Sequence, residues 1–384
     1  MPALKRAYMA VAIVLLNTVL LFAALEAATR LLYRPAQWIA LKLGIGPPIL
    51  AGYHLMQDII RREPWGAQYL ADAETFGYAL DPKPYIGFTN KPYTSPTINI
   101  GPDGFRVVPG SSASPEALKV FVLGGSSILG VGVPDWGTIA AYLQKALSAE
   151  QRQRPVRVVN YGVGYWVSTQ EIIFLSLELQ RGHVPDLAIF FDGVTDVSRT
   201  VEYGRAGAHV TPPYPWPAPS LFLSTSFRLL REQGAPIPQI PFVDPPTTPL
   251  YPELAAYPRL PEARRQQMAR ETFEVYAQNV RLAAELARVY RFRVRCFWQP
   301  AIFTTGKALS GDERLILARQ AEGYADLTRR VDALVRQERT RLPNVTYLGD
   351  ALDALSGTVF VDGAHLLPGG NETVARAMVR ELPR

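Results

Sequence analysis

The sequence has little cysteine and little histidine: Cys296 is the single cysteine among 384 residues, and there are four histidines. One cysteine can form neither an intrachain disulfide nor a CxxC zinc site. The histidines are scattered and none belongs to an HExxH motif, which argues against a histidine-rich metal site. We therefore expect no disulfide framework, no metal site and no cofactor.

Long runs of one charge are also missing. The 40 lysines and arginines outnumber the 34 acidic residues, giving a net charge of +6, but the excess is spread along the chain. That distribution does not favour nucleic-acid binding. With 48% hydrophobic and 19% charged residues, the chain has the balance of a globular protein and enough length for one large core or two smaller ones.

Two glycine motifs are absent. No GxxxxGK[ST] occurs, and "VLGGSSILG" (122–130) does not complete GxSxG because Ile128 occupies the position of the final glycine. The sequence therefore argues against a phosphate-binding P-loop and against the nucleophile elbow of the α/β-hydrolases.

Only one long apolar run is present. Residues 8–25, "YMAVAIVLLNTVLLFAAL", carry no charge, and a helix of this length spans ~27 Å. Lys5 and Arg6 precede the run and no Ala-x-Ala cleavage site follows it, so we predict an uncleaved anchor, residues 1–34. The bulk of the chain would then lie on the periplasmic side of the inner membrane. The alternative, a buried soluble helix, normally carries a polar face. One such run excludes a polytopic transporter.

The sequence after the anchor changes character near residue 115. Residues 35–115 are rich in proline, glycine and asparagine, and are predicted to be an irregular or lightly structured lead-in segment. Residues 116–384 alternate short apolar runs with helical patterns. Ser168 and Glu171 are expected to form a capping box. The predicted strands are 118–124, 156–162, 186–193, 292–298 and 345–349, and the predicted helices are 136–151, 168–182, 270–290, 312–338 and 368–382.

This alternation predicts an α/β fold, a three-layer α/β/α sandwich with a five-stranded, mostly parallel sheet. One stretch does not fit. Residues 198–262 are proline-rich and too long for a simple connection, so they form either an ordered cap over the ligand edge of the sheet or a disordered insertion. Aromatic residues favour the cap. They are Tyr214, Trp216, Phe222, Phe227 and Tyr251.

Residues that follow the predicted strands are the candidates for chemistry, because open parallel sheets bind ligands at the carboxyl ends of their strands. Ser126 follows the first strand and two glycines, where backbone N–H groups can stabilise an oxyanion. Asp362 and His365 are three residues apart on a predicted turn. The carboxylate can therefore hold one ring nitrogen while the other acts as general base. Each motif alone is common in proteins without a catalytic role, but together they supply nucleophile, base and orienting carboxylate.

Four segments in this order resemble the motifs of the SGNH/GDSL hydrolase superfamily: "VLGGSSILGVGVPD", "VVNYGVGYWVSTQE", "LAIFFDGVTDV" and "FVDGAHLLPGGNETVA". The resemblance covers about residues 115–382, and "INIGPDGFR" (98–106) is similar to the membrane-anchored bacterial members. It implies a flavodoxin-like fold and a Ser-His-Asp triad. It further implies that the N–H groups of Ser126 and Gly162 contribute to an oxyanion hole.

The sequence departs from the family in the third motif, where Thr195 occupies the position of an asparagine that would contribute to the oxyanion hole. Loss of one such donor costs ~3 kcal/mol, or about a hundredfold in rate. Two functions stay open. One is a serine esterase or O-acyl(acetyl)transferase acting on a cell-envelope or secreted carbohydrate ester. The other is a weak or inactive SGNH-type subunit that binds or assembles polysaccharide. A lipase acting on membrane lipid is a third alternative.

Substrate contacts are expected from residues near the strand ends: Tyr161, Tyr165, Trp166, Asp196 and Gln299. The three aromatics suit stacking on sugar rings, with packing inside the wall as the alternative. An anchored domain outside the cytoplasm meets envelope polysaccharide and its machinery, so a carbohydrate or other acyl ester is the expected substrate. The sequence does not distinguish water from a sugar hydroxyl as the acyl acceptor.

Overall fold

The computed structural model describes residues 2–42, 48–77, 79–151, 153–208, 226, 230, 252–342 and 344–382. Helix α1 runs from Pro2 to Lys42, beyond the predicted end of the anchor at residue 34. Within it, Tyr8–Thr29 is long and apolar enough to cross a membrane, and no part of that stretch is buried. Its length and composition fit a membrane span and also fit a signal sequence.

The lead-in segment is more ordered than its composition predicts. It contains helices α2 (Pro48–Arg61) and α3 (Gly66–Phe76), then the antiparallel pairs β1 (Leu80–Lys83) with β2 (Gly87–Asn90) and β3 (Tyr93–Thr94) with β4 (Asn99–Ile100). Met56 and Ile60, four residues apart on α2, lie in the hydrophobic core. The prediction of an irregular segment is therefore wrong for most of residues 48–100, where prolines and glycines mark turns between short elements.

Five strands form one parallel sheet, as predicted. They are β5 (Leu118–Gly124), β6 (Val156–Gly162), β7 (Leu187–Asp192), β8 (Arg293–Trp298) and β9 (Val345–Tyr347). Their spatial order is β6-β5-β7-β8-β9, and every neighbouring pair runs parallel. Successive connections from β5 leave in opposite directions, so the ligand-binding switch point of this fold lies at its carboxyl end. The predicted fold class is confirmed.

Helices cover both faces of the sheet. They are α4 (Ser126–Leu129), α5 (Ile139–Glu150), α6 (Ser168–Gln180), α7 (Val194–Tyr203), α8 (Pro252–Ala256), α9 (Glu262–Tyr290), α10 (Gly311–Ala318), α11 (Glu322–Gln337) and α12 (Pro368–Arg380). Short 3-10 turns occupy Asp135–Gly137, Tyr257–Arg259 and Arg339–Arg341. The sheet and these helices belong to one compact unit, formed by residues 51–212 and 250–384.

Alternation along the strands divides the interior into two cores. On β5, Val120 and Val122 pack in the core that α2, α5 and α12 cover. Phe121 and Leu123 pack in the core that α6, α9 and α11 cover. The near-continuous apolar strands that the sequence shows are thus explained by burial on both faces.

Two helix predictions need correction. The helix expected over 312–338 is interrupted, because Ala321 has extended backbone angles and α11 begins only at Glu322. The capping box expected at Ser168 and Glu171 does not form. Instead Gln170 accepts the Val167 N–H, and the Ser168 hydroxyl donates to Asp196 at 2.6 Å. The buried carboxylate of Asp196 competes successfully for the serine.

The predicted insertion at 198–262 is described only at its two ends. Helix α7 extends into it as far as Tyr203, and α8 begins at Pro252. Most of residues 209–251 lies outside the described residues, and so do the five aromatics on which the cap prediction depends. The cap stays a prediction.

Candidate active site

Two glycines at the carboxyl end of β5 build the turn that carries Ser126, the candidate nucleophile. We call residues 124–126 the nucleophile turn. A Cβ on Gly124 would lie 2.5 Å from Cγ1 of Ile128, and a Cβ on Gly125 would lie 2.6 Å from Oγ1 of Thr195. Both positions therefore require glycine because other atoms approach the backbone too closely for a side chain. The contact at Gly125 also places the Thr195 hydroxyl beside the start of α4, where Ser126 is the first residue.

A tight hairpin presents the other two predicted catalytic residues. Val361 N–H donates to the His365 carbonyl at 2.9 Å, and Leu367 N–H donates to the Val359 carbonyl at 2.8 Å. Inside the turn, Oδ1 of Asp362 accepts the N–H groups of Ala364 at 2.9 Å and His365 at 2.7 Å. The turn thereby fixes the carboxylate of Asp362 before it contacts the imidazole.

The structure brings Ser126, His365 and Asp362 into one chain of contacts. Oδ2 of Asp362 lies 2.6 Å from Nδ1 of His365, and Nε2 of His365 lies 2.7 Å from Oγ of Ser126. A carboxylate only accepts hydrogen bonds, so Nδ1 carries the proton of the neutral ring and Nε2 is left to accept from the serine hydroxyl. The side chains predicted as nucleophile, base and orienting carboxylate thus meet in the fold, although 239 residues separate Ser126 from His365.

The electrostatics of this pair favour an ionised carboxylate. Burial by itself raises the pKa of Asp362, but the charge of His365, its ring hydrogen bond and two backbone N–H donors outweigh burial and lower that pKa to about 2. Burial by itself lowers the pKa of His365. The charge of Asp362 and its hydrogen bond to the ring raise that pKa by more, so the net shift is upward. The imidazole is therefore a stronger base than an isolated histidine.

Arg106 supports the nucleophile turn from below and is almost fully buried. Its guanidinium donates to the Leu129 and Gly130 carbonyls at the end of α4, at 3.0 and 2.6 Å, and also to the carbonyls of Thr97 and Val133. Nε of Arg106 pairs with Asp135 at 2.7 Å. The segment "INIGPDGFR" noted in the sequence thus acquires a physical role through its last residue, which binds the carbonyl groups behind Ser126.

The hairpin that carries Asp362 and His365 rests on a second buried ion pair, which the sequence analysis does not identify. Lys307 and Glu313 are fully buried, and their charged groups lie 2.6 Å apart. Oε1 of Glu313 accepts the N–H groups of Val359 and Phe360 at 2.9 and 3.0 Å. Spacing in sequence gives no signal for this pairing, because residues 313 and 359 meet only through the fold.

Gly162 has a different role from the predicted one. Its N–H donates to Oδ1 of Asn160 at 2.8 Å, so it is already occupied. A Cβ on Gly162 would lie 2.2 Å from the backbone nitrogen of Leu129, which shows that glycine is needed to let α4 pack against β6. Asn160 completes the joint by donating to the Ile128 carbonyl at 2.7 Å. The prediction of Gly162 as an oxyanion donor needs correction.

The backbone after Gly162 offers free donors instead. Within the described residues, the N–H groups of Gly164 and Tyr165 donate to no acceptor. Tyr165 adopts a left-handed φ of 71°, which is uncommon for a residue other than glycine. The Trp166 carbonyl would lie 3.1 Å from a Cβ on Gly125, so residues 164–166 border the nucleophile turn.

Three of the predicted substrate contacts are interior residues. Tyr161 lies among Phe105, Phe121 and Phe174, with ring centroids 4.8 Å from each. Trp166 is fully buried and donates from Nε1 to the Phe88 carbonyl at 3.0 Å. Aromatic side chains at these positions pack the wall. Asp196 is also buried, where its carboxylate accepts from the Ser168 hydroxyl and N–H.

Two of the predicted substrate-contacting residues lie at the surface or beside the candidate nucleophile. Tyr165 is half exposed, with the Arg199 guanidinium 5.3 Å from its ring centroid. Gln299 is buried, and its amide nitrogen lies 3.4 Å from Oγ of Ser127, next to the candidate nucleophile. Tyr165 and Gln299 are therefore the members of the predicted set that border the Ser126 turn at its surface and floor.

A buried group of three carboxyls lies behind the site: Glu171, Asp192 and Asp196. Burial, followed by repulsion from the neighbouring carboxylates, raises the pKa of Glu171 and of Asp192 well above the ordinary values. Burial also raises the pKa of Asp196, to about 6, although the bonds from Ser168 oppose the rise. Neither carboxyl oxygen of Glu171 receives a hydrogen bond within the described residues. No motif in the sequence marks these three carboxyls as neighbours.

The comparisons with known proteins return similarity only at the level of solved structures. No family model and no curated protein matches the chain. Similar structures include a carbohydrate acetylesterase family member from Sinorhizobium meliloti (14% identity, 68% of this chain and 98% of that chain, TM-score 0.36). Others are the acetyl xylan esterase AlAXEase (14%, 69% and 100%, 0.36) and a member of the lipolytic G-D-S-L family from Veillonella parvula (12%, 69% and 97%, 0.35). Likeness at this level bears on neither activity nor substrate.

The fold of the chain agrees with the one that its sequence motifs imply. A five-stranded parallel sheet in this order, with a serine at the switch point, is what the resemblance to the SGNH/GDSL hydrolase superfamily implies. The structure has the fold that this resemblance implies.

Proposed function

We propose that this protein is a serine esterase or O-acyltransferase in which Ser126 is the nucleophile, His365 the general acid–base and Asp362 the orienting carboxylate. The observation that carries the proposal is the unbroken chain from Asp362 through His365 to Oγ of Ser126, with contacts of 2.6 and 2.7 Å. A serine, a histidine and a carboxylate in this arrangement activate the hydroxyl for attack on an acyl carbon.

The reaction proceeds in two halves. Oγ of Ser126 attacks the ester carbonyl carbon while its proton passes to Nε2 of His365, which then gives that proton to the departing alkoxide. The acyl group is left on Ser126. Water or a sugar hydroxyl attacks the acyl-serine, passing its proton to Nε2, and Ser126 recovers the proton when the acyl product leaves. Asp362 stays ionised throughout and stabilises the imidazolium.

Charge on the carbonyl oxygen needs donors near Ser126. The N–H of Ser126, the Thr195 hydroxyl and the free N–H groups of Gly164 and Tyr165 border the turn and are the candidates. Thr195 makes no side-chain hydrogen bond within the described residues, so its hydroxyl is available for this purpose. Donors placed before the reaction stabilise the transition state without reorganisation.

We further propose a carbohydrate ester of the cell envelope or a secreted polysaccharide as the substrate. The support is α1, which is long and apolar enough to hold the enzyme at a membrane. Our proposal places the unit that carries Ser126 on the periplasmic side of the inner membrane. Polysaccharide machinery of the envelope would be the partner. The exposed ring of Tyr165 is the remaining aromatic suited to stacking on a sugar.

Labelling of the full chain with a fluorophosphonate probe tests the nucleophile. Folded wild-type protein is expected to be labelled at Ser126, and Ser126→Ala is expected to remain unlabelled. Ser127→Ala is the matched control and is expected to be labelled. No labelling of folded wild-type protein, or equal labelling of Ser126→Ala, would sink the proposal.

A second candidate function is a polysaccharide-binding or assembly subunit without turnover. The observation that favours it is Thr195, whose side chain is shorter than the asparagine of the family motif. Glycan binding that survives both Ser126→Ala and His365→Ala, with no acetyl-ester turnover by wild-type protein, would support this function over the first.

A further inference from the structure

A cavity of about 750 Å³ lies away from the proposed catalytic residues. The face of β5 and β6 that carries Phe121 and Val159 forms its floor, α6 forms one wall, and the loop of the β1–β2 hairpin forms another. Neither Ser126, His365 nor Asp362 lines it. A volume of this size falls within the range of small-molecule sites in proteins, roughly 300–1,000 Å³.

The register of β5 and β6 arranges the floor of the cavity. Along the face that lines it, Lys119 lies opposite Arg157, and Phe121 lies opposite Val159 two residues further on. Tyr161 continues the row toward the carboxyl end. Because alternate residues of a strand share a face, the cavity has two cations at one end and an apolar surface beyond them.

Among the described residues, the side chains of the two cations have no anionic partner. Neither Lys119 nor Arg157 forms a side-chain ion pair within the described residues, although the carboxylate of Asp103 also lines the cavity. Other cations at the rim are paired, since Lys83 contacts Asp81 at 2.6 Å. Like charges on neighbouring strands repel each other, so an anion between Lys119 and Arg157 would relieve that repulsion.

Glu178 neutralises the opposite wall. Its carboxylate contacts the Arg181 guanidinium at 2.6 Å and the His183 ring at 2.8 Å. These pairs leave the positive end of the cavity at Lys119 and Arg157 rather than along the whole rim. The ligand therefore needs a negative group at one end only.

The hairpin wall is fixed to the rest of the protein. Gln170 donates from its amide to the Ile86 carbonyl at 2.8 Å, and Trp166 donates from Nε1 to the Phe88 carbonyl at 3.0 Å. Phe105 and Phe174, with ring centroids 5.0 Å apart, close the inner end. These contacts hold the apolar part of the cavity in place.

We propose that this cavity binds an amphipathic organic anion, a molecule with one carboxylate or phosphate and an apolar body. The anionic group would lie between Lys119 and Arg157, and the body would pack on Phe121, Val159 and Phe174. Charge complementarity at one end and aromatic surface at the other select this class over neutral sugars and over small inorganic anions.

Binding of naphthalene probes to the full chain in nanodiscs of zwitterionic lipid tests the site by calorimetry, with empty nanodiscs subtracted. We expect 2-naphthoate, 2-naphthyl phosphate or both to bind at least about tenfold more tightly than neutral 2-naphthol. Lys119→Ala combined with Arg157→Ala should remove that preference, and Lys145→Ala, an exposed cation outside the cavity, should keep it. Val159→Trp, which fills the cavity, should abolish binding of all three probes while the thermal midpoint is retained.

Other outcomes contradict the proposal. Equal binding of anionic and neutral probes, or an unchanged preference in the double variant, would remove the role of the cations. Displacement of 2-naphthyl phosphate by an equal concentration of inorganic phosphate would remove the role of the apolar floor. Loss of binding after fluorophosphonate labelling of Ser126 would place the ligand in the catalytic site instead. Because Ser126→Ala should bind the probes normally, the outcome is independent of the proposed esterase activity.

Discussion

Two buried carboxyl environments lie near the carboxyl edge of the sheet, and the net pKa shifts in them are opposite. Asp362 has a pKa of about 2 because His365 and two backbone N–H groups oppose the effect of burial. Glu171 lacks such donors, and burial together with Asp192 and Asp196 raises its pKa well above the ordinary value. The hydrogen-bond donors and charges around a buried carboxyl, and not its depth, therefore decide whether it is ionised.

The difference in charge between Asp362 and Glu171 matters for the proposed mechanism. An ionised Asp362 keeps His365 oriented and basic, which the proposed mechanism requires. A protonated Glu171 can share its proton within the buried group of three carboxyls and so remain buried on α6 without an uncompensated charge. In the proposed mechanism, Asp362 takes part in the chemistry and Glu171 in the packing of the wall behind it.

Replacing Asp362 with Asn removes the ionised carboxylate and should have the largest effect on activity. The amide keeps the shape but removes the charge and offers a donor to Nδ1, so the imidazole loses its correct tautomer. We expect kcat for an acetyl ester to fall by about 10⁴-fold. Steady-state kinetics of the full chain measure it, with Glu171→Gln as the matched neutral substitution, expected to retain kcat within about threefold.

Replacing Thr195 with Asn leaves both carboxyl environments intact and should test the donor set alone. The longer amide can reach an oxyanion that the threonine hydroxyl reaches less well, so kcat should rise, by up to about a hundredfold. Thr195→Val, which removes the donor with little change in shape, should instead lower it. A variant pair that leaves kcat unchanged in both directions would show that residue 195 does not contact the oxyanion.

The pH dependence of kcat/KM tests whether the ionised Asp362 raises the pKa of His365 in the wild-type enzyme. His365 must be neutral to act as base, and the charge of Asp362 raises its pKa above the ordinary 6.5. Activity should therefore fall as the pH drops through a value above 6.5. In Asp362→Asn, the residual activity should fall at a lower pH, because the charge that raises the pKa of His365 is gone. An acid limb at the same pH in both proteins contradicts the pairing.

Replacing Glu171 with Gln tests whether Glu171 is protonated in the folded protein, and it should have the smallest effect on activity. Wild-type Glu171 holds its proton in the folded state above pH 4.5 while the unfolded chain releases it, so the free energy of unfolding falls as pH rises, by up to about 1.4 kcal/mol per pH unit. Glutamine does not titrate, so the variant should gain stability relative to wild type between about pH 5 and 8. Thermal unfolding of both full chains across that range measures the difference, and a constant difference would contradict the protonated state.

The parallel sheet could be predicted from the sequence because its strands are buried on both faces and so appear as short apolar runs. Ser126, Asp362 and His365 could be placed together for a related reason, since each follows a strand or turn at the carboxyl edge. Arg106 and Glu313 could not, because they act on backbone carbonyl and N–H groups that no side-chain pattern reveals.

The errors have physical causes as well. Tyr161 lies within β6, and Tyr165 and Trp166 follow that strand. The backbone is left-handed at Tyr165, whose ring is half exposed, while the other two rings are buried. Gly162 fits a motif position, yet its N–H belongs to Asn160 and its missing side chain makes room for α4. Backbone conformation decided each of these cases, and composition and spacing do not encode it at single-residue resolution.

The most direct test of the central claim is turnover of an acetyl ester by the full chain, compared with Ser126→Ala and Ser127→Ala. The account predicts measurable hydrolysis by wild-type protein and by Ser127→Ala, and a loss of at least about 10³-fold in Ser126→Ala. Turnover by Ser126→Ala at the wild-type rate would contradict it.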